Sequence, residues 1–399
     1  MSMLIRDAII YDMEGSAPFK GDIYIEDGKI KQIGTKLSVR ADEVIDADGL
    51  TALPGFVDAH SHLGGFNMLN YDECDFNEMT DPVTAGVSAI DGCNVHDKCF
   101  MDACKGGVTT MCITPGSGNP VSGLAFIAKT AGKDDIHELV IKNPSALKLA
   151  FGMNPIGVYG KKNRMPMTRM GVIKVMRDAF YEAREYMAKK EAAGGDSAKM
   201  PDYDAKLEAI SLALSHQIPL KIHCEQFDMM TAIELAKEFD CEYTIEHAWG
   251  AEFFLPELKE GGGAVNYGPV GVPTGYGELT HANIAEVKML EDEGVHVSII
   301  TDSPITMPEL IYIQAGEAVR RGLSHESALK MITINPAKTL HVDDRVGSIK
   351  VGKDGDIVLF NGVPALDVAA GVEYTIVEGN VVYRRQTGRR LWQKQVTSS

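Results

Sequence analysis

The chain has 399 residues, 45% of them hydrophobic and 24% charged, with a formal net charge of -17. This composition excludes a disordered chain, and the acidity disfavours a nucleic-acid or anionic-membrane partner, because both recruit Lys and Arg to neutralise phosphate. Seven cysteines without a Cys-x-x-Cys pair, no basic-then-apolar leader and no apolar run of bilayer length give the expectation of a cytoplasmic protein with free thiols.

Residues 4–11, 22–26, 29–34 and 43–46 read as strands. Asp27-Gly28 between the second and third is the strongest short-range hairpin signal. A strand at 55–59 then runs into His60-Ser61-His62. Positions i and i+2 of a strand face the same side, so the two histidines can hold one metal ion. Taken alone, the motif fits a half-buried strand that happens to carry them equally well. Residues 67–91 form a long acidic loop (Asp72, Glu73, Asp75, Glu78, Asp81) that could cap a site or make a subunit contact, although a solvated face is the simpler reading.

Further strands are expected at 109–114, 124–128, 146–151, 219–223, 243–247, 263–267 and 296–301, with helical periodicity clearest at 171–193, 204–217 and 284–294. Alternating strands and helices predict βα units with parallel pairing, and residues 55–341 have room for a (β/α)8 barrel. Strands return at 356–360, 374–377 and 381–383, and they pair with the first fifty residues in a small β-domain. The expected domains are 1–54 plus 342–399 and, between them, 55–341.

Active sites in such barrels form at the carboxyl ends of the strands. His60 and His62 end strand one, Lys148 lies in strand four, His223 ends strand five, His247 ends strand six and Asp302 follows strand eight. One histidine at a strand end is ordinary, but five such His or Asp residues in register are hard to attribute to chance. Histidine and carboxylate ligands suit zinc, manganese or iron in an open, catalytic site. Lys148 is the odd member, since an ammonium cannot bind a cation. A buried neutral lysine can add carbon dioxide to form a bridging carbamate, yet from the residues alone a lysine facing outward to solvent is the simpler reading. The glycine-rich stretch 116–120 reads as a tight connection, and His216 as a helix-closing residue that meets the dipole. Tyr159, Arg164 and Arg169 after strand four and Tyr267 after strand seven are candidate substrate-binding residues, the arginines for a carboxylate.

Leu-Pro-Gly-Phe-Val-Asp-Ala-His-Ser-His (53–62), Gly-Val-Thr-Thr (107–110), Lys148, His223, His247, Thr-Asp-Ser-Pro (301–304), Asn-Pro-Ala-Lys-Thr-Leu (335–340) and Asp-Arg-Val-Gly-Ser-Ile-Lys-Val-Gly-Lys-Asp-Gly-Asp-Ile-Val (344–358) carry a resemblance. Through them the chain resembles the amidohydrolase superfamily, in its imidazolonepropionase-related branch, essentially end to end. The resemblance implies an α/β fold, a metal-dependent (β/α)8 TIM barrel with a small β-sandwich domain from both termini, and a homo-oligomer. It further implies two divalent ions, zinc before manganese or iron: His60, His62 and Asp302 on one, His223 and His247 on the other, and carbamylated Lys148 between them. A metal-bound hydroxide would attack a small-molecule amide, with Asp302 as general base and then general acid.

One departure matters. Deaminases of the superfamily carry one metal and a His-x-x-Glu element, whereas His223-Cys224-Glu225-Gln226 places the acid one position early and looks like the segment of the one-metal imidazolonepropionases. The expected function is hydrolysis of a linear or cyclic, non-peptide or dipeptide C–N bond. A mononuclear imidazolonepropionase-like hydrolase or deaminase is the alternative, and an inactive binding or assembly protein a distant one.

Overall fold

In the computed structural model, residues 1–66, 74–270 and 277–385 are described. The first strands are β1 (Ser2–Ile10), β2 (Phe19–Glu26), β3 (Lys29–Gly34), β4 (Glu43–Asp46) and β5 (Thr51–Pro54). Asp27 (φ 50°) and Gly28 (φ 75°) both take left-handed backbone, the geometry that matches strand twist in a tight hairpin, and β2 and β3 pair antiparallel across them. The chain then enters a second sheet: β6 (Phe56–Ser61), β7 (Val108–Ile113), β8 (Val121–Lys129), β9 (Val140–Ala150), β10 (Leu220–Cys224), β11 (Tyr243–His247), β12 (Ala264–Tyr267) and β13 (Val297–Ile299). It returns to the first sheet with β14 (Ile357–Asn361), β15 (Gly371–Val377) and β16 (Asn380–Arg384). Antiparallel pairing of β5 with β14 joins the two ends of the chain in one sheet.

The second sheet runs β6 to β13 in sequential order, and a parallel bridge from Ser61 to Ser303 brings its ends together into a nearly closed, TIM-barrel-like ring. One expectation is corrected. β8 is antiparallel to both β7 and β9. The connection at 114–120 is too short for a helical crossover, which needs a dozen or more residues, so the chain turns back as a hairpin instead. The helix expected at 204–217 is also shorter, Ala205–Leu214, because His216 (φ 58°) has left the helical region. The excursion after β9 includes helix Arg169–Ala193, which Thr168 caps at its start and Gly194 ends in left-handed backbone.

Alternation along β9, β10 and β11 sorts the side chains. Leu147, Leu149, Leu220, Ile222, Tyr243 and Ile245 join the large apolar cluster shared with the helices. Lys148, Lys221, His223, Thr244 and Glu246, all buried, fall on the opposite face of their strands.

The reversal of β8 carries Lys129 to the amino-terminal face of the barrel. There its ammonium, 4% exposed, lies 2.8 Å from Asp354 Oδ2 and 2.5 Å from Asp356 Oδ2, just before β14. Removing one partner of a buried pair leaves uncompensated charge, so Lys129→Met is expected to cost about 3 kcal/mol. A urea midpoint equal to that of the parent would show that this pair adds nothing.

Candidate metal centre

His60 Nε2 and His62 Nε2 lie 3.4 and 3.1 Å from one oxygen, Asp302 Oδ1, and the three residues offer ligand atoms all within 4.8 Å of one another. Lys148 Nζ is 3.2 Å from His60 Nε2. The His247 ring is centred 5.1 Å from that of His60 and 4.4 Å from that of His223. The structure therefore brings together all six residues singled out at strand ends, including Lys148, which is fully buried and does not snorkel outward.

The far ring nitrogens settle which nitrogens face inward. His62 Nδ1 meets Thr114 O at 2.8 Å, His247 Nδ1 meets Gly268 O at 2.7 Å, and His60 Nδ1 meets Glu246 Oε2 at 2.6 Å. A carbonyl or carboxylate oxygen can only accept, so each Nδ1 carries the proton and each Nε2 presents a lone pair. In His60 and His62 those lone pairs face Asp302 Oδ1, a buried oxygen without a hydrogen-bond donor among the described residues. Converging lone pairs with no proton between them are what a cation resolves, so this donor set fits a divalent metal ion. His223 differs. Its Nε2 is 3.0 Å from Glu225 Oε1 and 3.3 Å from Asn154 Nδ2, and its buried Nδ1 has no hydrogen-bond partner among the described residues.

Burial, together with the positive charge of Lys148 and neighbouring rings, lowers His223 and His247 to about 3, so both are neutral as ligands must be. Their pH dependence follows. Between about pH 3 and 6.5 the unfolded chain binds more protons than the folded one, so the metal-free protein loses stability as pH falls through that window. The slope is at most about 1.4 kcal/mol per pH unit for each histidine. Urea midpoints at pH 7.5 and 5.0 should differ in that direction; equal midpoints would show that the rings are not neutralised by folding. Burial lowers the Lys148 ammonium to about 8.

Several residues around the centre escaped the sequence reading. Glu246 Oε1 accepts from Lys221 Nζ and Asn266 Nδ2, both at 2.9 Å, and from Thr244 Oγ1. Asp58 accepts from the His60 backbone N–H at 3.1 Å and from the Thr301 hydroxyl, and burial raises it to about 7. The available signal was a charged residue inside an apolar strand one or two positions before a ligand: Asp58, Lys221 and Glu246 all qualify. His247 (φ 71°), Ala248 (φ 54°) and Asp302 (φ 53°) hold left-handed backbone, a local strain that concentrates at functional sites.

The four substrate-binding candidates are engaged elsewhere. The Tyr159 hydroxyl donates to Asp81 O and its residue is fully buried; Arg164 donates to Thr80 O at 2.7 Å. Arg169 pairs with Asp228 at 3.1 Å, and the Tyr267 hydroxyl donates to Glu286 Oε2 at 2.7 Å. These contacts hold neighbouring segments of the barrel face together. The 116–120 stretch is the tight connection it was read as: Gly116 N–H donates to Phe76 O and Gly118 N–H to Asn77 Oδ1. The acidic loop folds back on the barrel, with the Phe76 ring 5.5 Å from that of His62, and Asp75 and Glu78 help line a cavity of 170 Å³ beside it. Asp72 and Glu73 lie outside the described residues.

Comparison with known proteins finds relatives along nearly the whole chain. The pattern described as the amidohydrolase family matches residues 51–382. The chain is 28% identical over 424 residues to amidohydrolase tasK of Hapsidospora irregularis, across 95% of this chain but 43% of that protein. It is 23% identical over 408 residues to an imidazolonepropionase of Picrophilus torridus, across 94% of this chain and 97% of that one. A crystal structure of an amidohydrolase from Thermotoga maritima matches with a TM-score of 0.92 at 38% identity, covering 96% of this chain and 100% of that chain.

Proposed function

Since the chain belongs to the amidohydrolase family, in the imidazolonepropionase-related branch, and is an enzyme acting on C–N bonds, we propose that it hydrolyses a small-molecule amide, linear or cyclic, with two divalent metal ions. The observation that carries this reading is Lys148, a fully buried lysine 3.2 Å from His60 Nε2. An ammonium there would repel a cation. A neutral amine adds carbon dioxide, forming an N–C bond and releasing a proton, and the resulting carbamate is an anion able to bridge two metals.

His60, His62 and Asp302 would hold one ion, His223 and His247 the other, and Lys148 would bridge. The ions, zinc before manganese or iron, would acidify water and polarise the substrate carbonyl. Asp302 takes the proton of the attacking water and delivers it to the leaving nitrogen. Glu246 keeps the His60 proton on Nδ1, and Thr114 O and Gly268 O do the same for His62 and His247. The same reading takes 1–54 with 342–399 as the β-sandwich domain around a barrel over 55–341, in a cytoplasmic homo-oligomer. Among the described residues no helix is long and apolar enough to cross a membrane.

One observation favours a one-metal cyclic-amide hydrolase or deaminase: Glu225 already stands 3.0 Å from His223 Nε2. Metal analysis separates the two. Two equivalents per chain are expected, and Lys148→Ala should lose at least one of them and about 100-fold or more in activity. A single equivalent, unchanged in Lys148→Ala, would sink the binuclear reading.

A further inference from the structure

Glu286 opens the helix Glu286–Asp292 and is fully buried, yet no Lys, Arg or His pairs with it among the described residues. Its carboxyl instead takes three donors from two connections that follow barrel strands. Gly250 N–H lies 3.2 Å from Oε2 and Glu252 N–H 3.4 Å from Oε1, both in the connection after β11. The Tyr267 hydroxyl, at the end of β12, lies 2.7 Å from Oε2. A buried carboxylate without a counter-ion is costly in its charged form. Burial accordingly pushes Glu286 up to about 7, and the nearby Glu252 charge acts in the same direction.

The Tyr267 hydroxyl has a second acceptor. Its oxygen is 2.8 Å from Asn283 O and receives the Asn283 N–H at 3.0 Å. A phenol carries one hydrogen and two lone pairs, so it serves one of the two acceptors at a time. With Glu286 ionised, the phenol hydrogen goes to the carboxylate, because charge-assisted hydrogen bonds are about twice as strong as neutral ones. Gly250 and Glu252 then also donate to an anion. With Glu286 protonated, its O–H donates to the Tyr267 oxygen and the phenol hydrogen turns to Asn283 O. Gly250 and Glu252 are left with a neutral, weaker acceptor. Every donor has a partner in both arrangements, and one proton separates them.

We propose that Glu286 and Tyr267 form a proton-operated clasp: ionised, it grips the Gly250–Glu252 backbone, and protonated, it hands the phenol hydrogen to Asn283 and slackens that grip. His247, Ala248 and Gly250 all hold positive φ, so this connection depends on contacts outside itself to keep its course. The clasp thereby reaches the connection that begins at the metal-facing His247. Its effect on turnover rests on the hydrolytic reading of the centre, whereas the clasp itself is read without substrate. The titratable groups around Glu286 are Tyr267 on β12, Glu252 on the turn Ala251–Phe253, and His281, whose Cβ lies 3.4 Å from a Cβ added to Gly250. On its own helix Lys288 pairs with Asp292, and β13, packed alongside, carries no charged residue.

The chain has two tryptophans, so Trp392→Phe leaves Trp249, the neighbour of Gly250, as the single indole reporter in the full-length, metal-loaded protein. Its emission is expected to pass between two levels with a midpoint near pH 7. Glu286→Gln has no proton to lose there and should stay at the low-pH level throughout. Tyr267→Phe takes a donor from the anion and should raise the midpoint by about one pH unit. His281→Gln should leave it in place. A single emission level in the parent, a transition that survives in Glu286→Gln, or one abolished by His281→Gln overturns the proposal. If the glutamine variant does not fold, an unmoved midpoint in Tyr267→Phe overturns it instead. Metal content and amide hydrolysis are measured on the same samples. The expected transition in protein that binds no metal and cleaves no amide removes the hydrolytic reading and spares the clasp; hydrolysis without the transition removes the clasp and spares the centre.

Discussion

Asp302→Asn is expected to lower kcat/KM by about 1,000-fold or more while the protein remains folded, because a positioned proton-transfer group is worth about 100- to 10,000-fold and this carboxylate is also a metal ligand. Asparagine keeps the size of the side chain and tolerates the left-handed backbone that residue 302 holds at φ 53°. What it removes is the anion that His60 Nε2 and His62 Nε2 face at 3.4 and 3.1 Å. An amide oxygen can still touch a metal, but it cannot accept a proton from water. The residual activity should therefore lose its dependence on this carboxylate even when metal is supplied in excess. Steady-state kinetics at saturating metal checks it. Activity within tenfold of the parent would show that the proton passes elsewhere and that Asp302 is at most a ligand.

Glu246 carries the second large effect. It holds His60 Nδ1 at 2.6 Å and lies 2.9 Å from Lys221 Nζ, in surroundings with no exposure to solvent. Lys221 and Lys148 keep it ionised below its ordinary range, against the effect of burial. Two substitutions separate its duties. Glu246→Gln nearly conserves volume but can turn an N–H toward His60 Nδ1, moving the ring proton to Nε2 and blocking the lone pair that faces Asp302. Metal affinity is expected to fall about 10- to 100-fold, the usual cost of losing such an orienting partner. Glu246→Leu also leaves Lys221 buried without its counter-charge, and about 3–5 kcal/mol of stability should go with it. Competition with a chromophoric chelator reads the first effect and a urea midpoint the second. If the glutamine variant bound metal as tightly as the parent, the tautomer-setting role of Glu246 would be wrong.

Much of the architecture was legible because it is written in local periods. Strand alternation around Asp27-Gly28 predicts the first hairpin, and the structure has it with both turn residues at positive φ. Helical periodicity at 171–193 corresponds to helix Arg169–Ala193 within two residues. The reversal of β8 was not legible in that way. A short apolar strand reads the same in either direction, and only the length of the connection before it distinguishes a hairpin from a crossover.

The centre divides along the same line. His60-Ser61-His62 could be singled out from the sequence because a strand has a period of two, so two histidines one residue apart share a face whatever the rest of the chain does. Predicted strands also singled out His223, His247, Asp302 and Lys148, and the resemblance added what each would do, without their positions in space. Which way Lys148 points, that Glu246 and not a carbonyl holds His60, that Asp58 closes on Thr301, and that Tyr159 and Tyr267 spend their hydroxyls on loops were decided only by the tertiary structure. These are contacts between residues far apart in sequence. They depend on strand register and on the closing of the ring, and a register shift of one residue turns every side chain to the other face. No local pattern records that choice, because it is made by the packing of the whole barrel.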